Sequence, residues 1–126
     1  MSSDFLYKDE TYEIIGICME VHTILGHGFL EIVYKDAIEY EVAKRKIEYS
    51  REEEFSIPYK DITLPHKFYA DFILFDRIIL EVKSNEEGFA DAHVSQMINY
   101  LKVSGCKIGL LINFGKAKLE YKRVIL

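Results

Sequence analysis

Proline is nearly absent, with two in 126 residues. No low-complexity stretch or internal repeat accompanies them, so nothing marks a linker, and a single domain over residues 1–126 is expected. Cysteine is equally scarce. Cys18 and Cys106 stand far apart, which excludes a disulfide framework or a zinc spacing, suits a reducing cytoplasm, and leaves both as small core residues. No apolar run approaches the roughly 20 residues needed to cross a bilayer, so no membrane partner is expected. Met1-Ser2-Ser3-Asp4 lacks the basic and apolar regions of a signal peptide. There is no Gly-rich phosphate loop and no Ser or Cys nucleophile arrangement. His22, His27 and His66 show no zinc spacing and read as helix-end or loop residues.

Apolar residues make up 49% of the chain and charged residues 29%, enough for a real core and too apolar for wholesale disorder. The net charge of −5 argues against a simple electrostatic clamp on nucleic acid. The charge is unevenly spread, however. Residues 102–126 carry +5 and the remainder −10. A basic end can follow a phosphate backbone while an acidic centre holds divalent cations. Taken alone, the basic end reads as a solvated lysine-rich strand.

Ile14, Ile15, Cys18, Val21 and Leu25 follow helical spacing, with Thr11 or Asp9 as the N-cap and Gly26-His27-Gly28 as the stop. Leu30, Val33, Tyr34, Ala37 and Ile38 mark a second helix that closes at Lys44-Arg45-Lys46. Strands are expected at 54–59, 67–75 and 78–84, with a loop or turn at 61–66 and Glu52-Glu53-Glu54 as a solvated strand start. A third helix spans 91–103, with Val94, Met97, Ile98 and Leu101 on its apolar face, and stops at Gly105. Strands at 107–113 and 118–125 follow, the last at an edge. The order α-α-β-β-β-α-β-β gives an α/β fold with a mixed sheet flanked by helices.

Two of these strands carry charge where none is expected. Phe68-Tyr69-Ala70-Asp71-Phe72-Ile73-Leu74-Phe75 and Ile78-Ile79-Leu80-Glu81-Val82-Lys83 are apolar on both faces, the signature of a sheet covered on both sides. A carboxylate there is costly unless paired, hydrogen-bonded or metal-bound. Residues two apart share a strand face, so Glu81 and Lys83 point the same way. Asp71 joins them only if the connecting loop has an odd number of residues, such as Phe75-Asp76-Arg77, or if a bulge corrects the register. A two-residue Asp76-Arg77 turn would send Glu81 to the other face.

Asp71 and Glu81 offer the hard oxygen donors that Mg²⁺ or Mn²⁺ prefers, and the Val82 carbonyl offers a third. Such an ion polarises a phosphodiester and lowers the pKa of water. Lys83 then orients that water or neutralises charge on phosphorus. Gln96 and Tyr100 share a helix face, and His93 lies three residues before Gln96.

The spacing Asp71-x9-Glu81-Val82-Lys83 resembles the PD-(D/E)xK nuclease superfamily. Gly28-Phe29-Leu30-Glu31-Ile32-Val33-Tyr34 is similar to the signature of its GxxExxY branch. His93-Val94-Ser95-Gln96-Met97-Ile98-Asn99-Tyr100-Leu101 resembles that family's third helix, with Gln96 and Tyr100 as the Q-x-x-x-Y of RecB-type nucleases. Gly109-Leu110-Leu111-Ile112-Asn113-Phe114-Gly115 resembles its next strand and turn. The resemblance covers roughly residues 12–126. Ala70 stands where the motif name has proline, and Tyr69 where the branch usually has arginine.

The resemblance implies a restriction-endonuclease-like core and a Mg²⁺- or Mn²⁺-dependent nuclease acting on nucleic acid, DNA above all. It implies catalytic Asp71, Glu81, Lys83 and Gln96, metal ligands Glu31, Asp71, Glu81 and Val82, and substrate contacts from Tyr34, His93 and Tyr100. A chain of this size leaves little room for sequence-reading elements, so a homodimer or partner protein is open. Two other readings stay open: a nucleic-acid-binding or accessory module without turnover, and a structural protein in which Asp71 and Lys83 are merely paired. Glu31 also reads as a first-turn helix acid, and Tyr34 as a core residue.

Overall fold

A computed structural model describes residues 6–126 of the protein. Its elements are α1 (Lys8–Leu25), α2 (Glu31–Lys44), β1 (Tyr49–Tyr59), β2 (Ile62–Leu74), β3 (Ile78–Lys83), α3 (Asp91–Ser104), β4 (Ile108–Asn113) and β5 (Glu120–Ile125). The expected order holds, and the fold is α/β with a mixed sheet, consistent with a restriction-endonuclease-like core. The five strands lie in the order β1-β2-β3-β4-β5. Only β3 and β4 run parallel; the other neighbours are antiparallel. The one parallel connection requires a crossover, and α3 supplies it.

The strand alternation sorts two cores. Phe72, Leu74, Ile78, Leu80, Val82, Ile108, Leu110 and Ile112 face the helix pair, where Ile14, Ile17, Cys18, Val21, Tyr34, Ile38 and Val42 cover them. Ala70, Ile73, Ile79 and Leu111 face α3 through Met97 and Leu101. Both faces are therefore dry, which is why β3 and β4 read as apolar runs apart from Glu81 and Lys83 in β3. Each fully buried aliphatic side chain contributes about 1.5–3 kcal/mol relative to exposure. Among the described residues, no helix is long and apolar enough to cross a membrane.

Several boundaries differ from expectation. Helix α1 starts at Lys8 behind Tyr7, not behind Asp9 or Thr11; Thr11 is buried inside the helix. The stretch 61–66, expected as a loop, is mostly strand. Tyr59 pairs with Ile62 across Lys60-Asp61, so the β1–β2 hairpin runs out far beyond the rest of the sheet. Its register shifts between Ser56 and Pro58, where both prolines of the chain lie close by. A bulge absorbs residues that cannot donate to the ladder, so the strand continues past both prolines. Strand β1 also begins five residues earlier than expected and takes in Glu52-Glu53-Glu54. Cys18 is fully buried, but Cys106 is only partly so.

The C-terminal end of β3 is pinned from the neighbouring strand β4. Asn113 is fully buried, and its Oδ1 accepts from the N–H groups of Asn85 and Gly115 (both 3.0 Å). Its Nδ2 donates to the Asn85 carbonyl and to Glu120 (both 3.0 Å). Gly115 packs so tightly on Asn85 that a Cβ there would overlap the Asn85 backbone. Gly115→Ala is therefore expected to cost about 1–3 kcal/mol of unfolding free energy, toward the upper end because backbone cannot step aside as a side chain can. Urea denaturation of the two proteins measures it.

Candidate active site

Strands β2 and β3 are joined by Phe75-Asp76-Arg77, a three-residue loop in which Phe75 and Asp76 both take left-handed conformations (φ 56° each). The odd loop puts Leu74 opposite Ile78 and Phe72 opposite Leu80. The ladder ends there, and the next residues along are Asp71 and Glu81. Their carboxyl groups replace the missing ladder bonds. The Asp71 N–H donates to Glu81 Oε1 (3.0 Å), and the Val82 N–H donates to Asp71 Oδ2 (2.8 Å). The two acids thus close a fork between diverging strands. The carbonyl of Val82 lies on the same strand edge as its N–H and faces that fork too.

Glu81 is buried, at 6% exposure. Burial first, and then the neighbouring Asp71 charge, push its carboxyl pKa up to about 8, partly opposed by the Asp71 backbone N–H and by Lys83. Lys83, two residues on, shares the α3 side of the sheet with Glu81. Tyr100 of α3 is near enough that burial and the charges of Glu81 and Asp71 raise its phenol pKa. Its ring stacks on Phe68 at 4.2 Å. The register and the three-residue loop agree with the expectation from sequence, and the two acids meet at the fork.

Other candidates sit differently. Glu31 is the first residue of α2 and is exposed. Among the described residues, no three His, Cys, Asp or Glu side chains form a metal-binding group, so Glu31 does not join Asp71 and Glu81. Its place fits the first-turn helix acid favoured by the macrodipole. Tyr34 is fully buried and stacks on Phe114 at 4.3 Å. Its hydroxyl donates to the Gly26 carbonyl (2.7 Å) and accepts from the Phe29 N–H (3.2 Å). As placed, it ties down the α1–α2 loop and has no free hydroxyl for a substrate. His93 Nδ1 accepts from the Ala90 N–H (3.1 Å), capping α3, which leaves Nε2 as the nitrogen available outward. Gln96 is exposed on α3.

The residue that sequence reasoning missed is Lys35. It is buried, at 8% exposure, and its ammonium bonds Asp71 Oδ1 (3.0 Å) and Glu52. Burial works to lower its pKa, but Glu52 and Asp71 outweigh that and hold it above the usual lysine range. The anticipated structural partner of Asp71 was Lys83; the observed partner comes from α2. Glu52, read as a solvated strand residue, takes a left-handed conformation (φ 57°) where the β1–β2 ladder skips it. The only signal was a lysine next to a core tyrosine, and the acids near it in sequence (Glu31, Asp36 and Glu39) pointed to a solvated helix face rather than to Asp71.

The donor chemistry fits a divalent cation. Mg²⁺ needs only one or two carboxylates, with waters and phosphates completing its shell. Asp71 and Glu81 supply the carboxylates, the Val82 carbonyl a further oxygen, and Lys35 already brings positive charge to Asp71.

The family model of the PD-(D/E)XK nuclease superfamily matches residues 8–124. No curated protein matches the chain. The crystal structure of SSO0001 superposes with a TM-score of 0.60 at 20% identity, covering 94% of this chain and 59% of that one. That likeness is one of fold, and the chain spans about three-fifths of the length of that structure.

The raised Glu81 pKa has a stability consequence in metal-free protein. An acid whose folded pKa exceeds its unfolded value stabilises the fold below about 4.5, and this stabilisation is lost as pH rises to about 8. In EDTA, unfolding free energy is expected to fall by several kcal/mol across that window, at about 1.4 kcal/mol per pKa unit. Glu81→Gln, which keeps the neutral shape, should flatten the fall. Chemical denaturation of both proteins at pH 5, 6.5 and 8 checks this.

Proposed function

This chain belongs to the PD-(D/E)XK nuclease superfamily, and from that premise we propose that it hydrolyses DNA phosphodiester bonds with Mg²⁺ or Mn²⁺. The observation that carries this reading is the meeting of Asp71 and Glu81 at the β2–β3 fork, with Lys83 on the same face as Glu81. Asp71, Glu81 and the Val82 carbonyl would hold the cation. When bound, it supplies Lewis-acid polarisation of the phosphate and a lowered water pKa. Lys83 makes no ion pair among the described residues, so its ammonium is free to meet a phosphate oxygen or a water. Gln96 and Tyr100 border the same side of the sheet from α3, and His93 presents Nε2 from the first turn of that helix. The Gly28–Tyr34 motif supports placement in the GxxExxY branch, with Tyr34 and Glu31 shaping the loop and helix start beside the site. The two cysteines, neither in a disulfide, suit action in the cytoplasm.

A second reading is favoured by one observation. Both Asp71 oxygens are already engaged, by Lys35 and by the Val82 N–H. A module that binds nucleic acid without cutting it, alone, as a homodimer or beside a partner protein, is compatible with such an occupied acid. Cleavage assays decide between the two. With Mg²⁺ or Mn²⁺, the wild type should cut plasmid or branched DNA, and Lys83→Ala should cut about 10²-fold more slowly or worse. Equal DNA binding by both proteins with cleavage by neither selects the binding module.

A further inference from the structure

Lys35 is anchored to an element that carries no other part of the acid pair. It projects from the second turn of α2, on the helix-pair side of the sheet, while Glu81 and Lys83 belong to the α3 side. Its ammonium nevertheless reaches the fork and holds Asp71 Oδ1 at 3.0 Å. The other Asp71 oxygen is held by the Val82 N–H, so Oδ1 is the oxygen that a cation would use. A buried carboxylate without a nearby positive charge is costly, and Lys35 removes that cost when no metal is bound.

Glu52 gives the arrangement a second position. It shares the Lys35 ammonium with Asp71, and its side chain is 47% exposed against 16% for Asp71. An ammonium leaving Asp71 therefore has a charged partner on its path toward water. Glu52 is directed there by a left-handed residue at the interruption of the β1–β2 ladder, a conformation that costs free energy in a non-glycine residue. Two acids flanking one lysine, the first buried and the second open to solvent, make an exchangeable contact.

We propose that Lys35 is a tethered countercation that a divalent metal must displace from Asp71, with Glu52 receiving the released ammonium, so that α2 sets the metal affinity of the site. This rests on the reading of Asp71 as a metal ligand. It goes beyond that reading by assigning the affinity to two residues that bind neither metal nor substrate.

Two measurements test it on the full chain. Mn²⁺ titration by calorimetry should show Lys35→Met binding about tenfold or more tightly than wild type, since a competing charged hydrogen bond is removed. Asp71→Asn should abolish binding. Independently, in the wild type, labelling of Lys35 by an amine-reactive ester, followed by mass spectrometry, should rise several-fold when Mg²⁺ is added. It should already be high in Asp71→Asn without metal. The labelling arm needs no change at Lys35 and so stands even if Lys35→Met fails to fold. Metal binding that requires Asp71 but is not tightened by Lys35→Met, or Lys35 labelling that Mg²⁺ leaves unchanged at saturation, overturns the displacement and leaves the metal site standing. Absence of Mn²⁺ binding by both wild type and Lys35→Met removes the metal-site reading and the displacement together.

Discussion

Where β2 and β3 part, two backbone N–H groups lose their ladder partners, and two carboxyl groups take them over. Asp71 receives the Val82 N–H and Glu81 receives the Asp71 N–H. Buried backbone donors must be satisfied, and here acids satisfy them. Each acid is held by the strand opposite its own, so neither can turn away without leaving an orphaned donor. The site is thus preorganised by the same bonds that let the sheet open. Because the acids sit close together in a dry place, one of them holds its proton far more tightly than an ordinary carboxyl.

The rest of the fold serves that fork. Helices α1 and α2 cover one face and α3 the other, which excludes water from β3 along almost its whole length. Asn113 and the close approach of Gly115 to Asn85 fix the chain as it leaves Lys83. Ser84 adds a bond from its hydroxyl to the Phe29 carbonyl (2.6 Å), linking the end of β3 to the α1–α2 loop that Tyr34 ties down. The residues that looked like ligand contacts in the α2 motif are therefore largely structural, and they work by holding the rim of the site. The Tyr34 hydroxyl, bonded to the carbonyl of Gly26 and the N–H of Phe29, holds the turn between them.

Much of the fold was legible because its signals are local. Helical periodicity, the glycine stop at Gly105 and the apolar runs of β3 and β4 each depend on neighbours in sequence. The outer end of the β1–β2 hairpin was less legible, since 61–66 read as a loop or turn and only the pairing with the opposite strand makes it strand. In the site, the parity of the Phe75-Asp76-Arg77 loop tied Asp71 to Glu81, and that is a counting argument. Lys35 and Glu52 escaped it. They belong to α2 and β1, and nothing in either segment signals a partner 36 or 17 residues away.

The sequence by itself determined the order of elements, the two-sided burial of the central strands, and the common face of Glu81 and Lys83, because strand and helix periods are set by backbone geometry. Tertiary structure alone decided which cation meets Asp71, why Glu31 stands apart from the acids, and that the Tyr34 hydroxyl is spent on a loop. Those outcomes depend on how α2 is seated against the sheet. A helix seat is chosen by the whole packed interface, and no single segment encodes it.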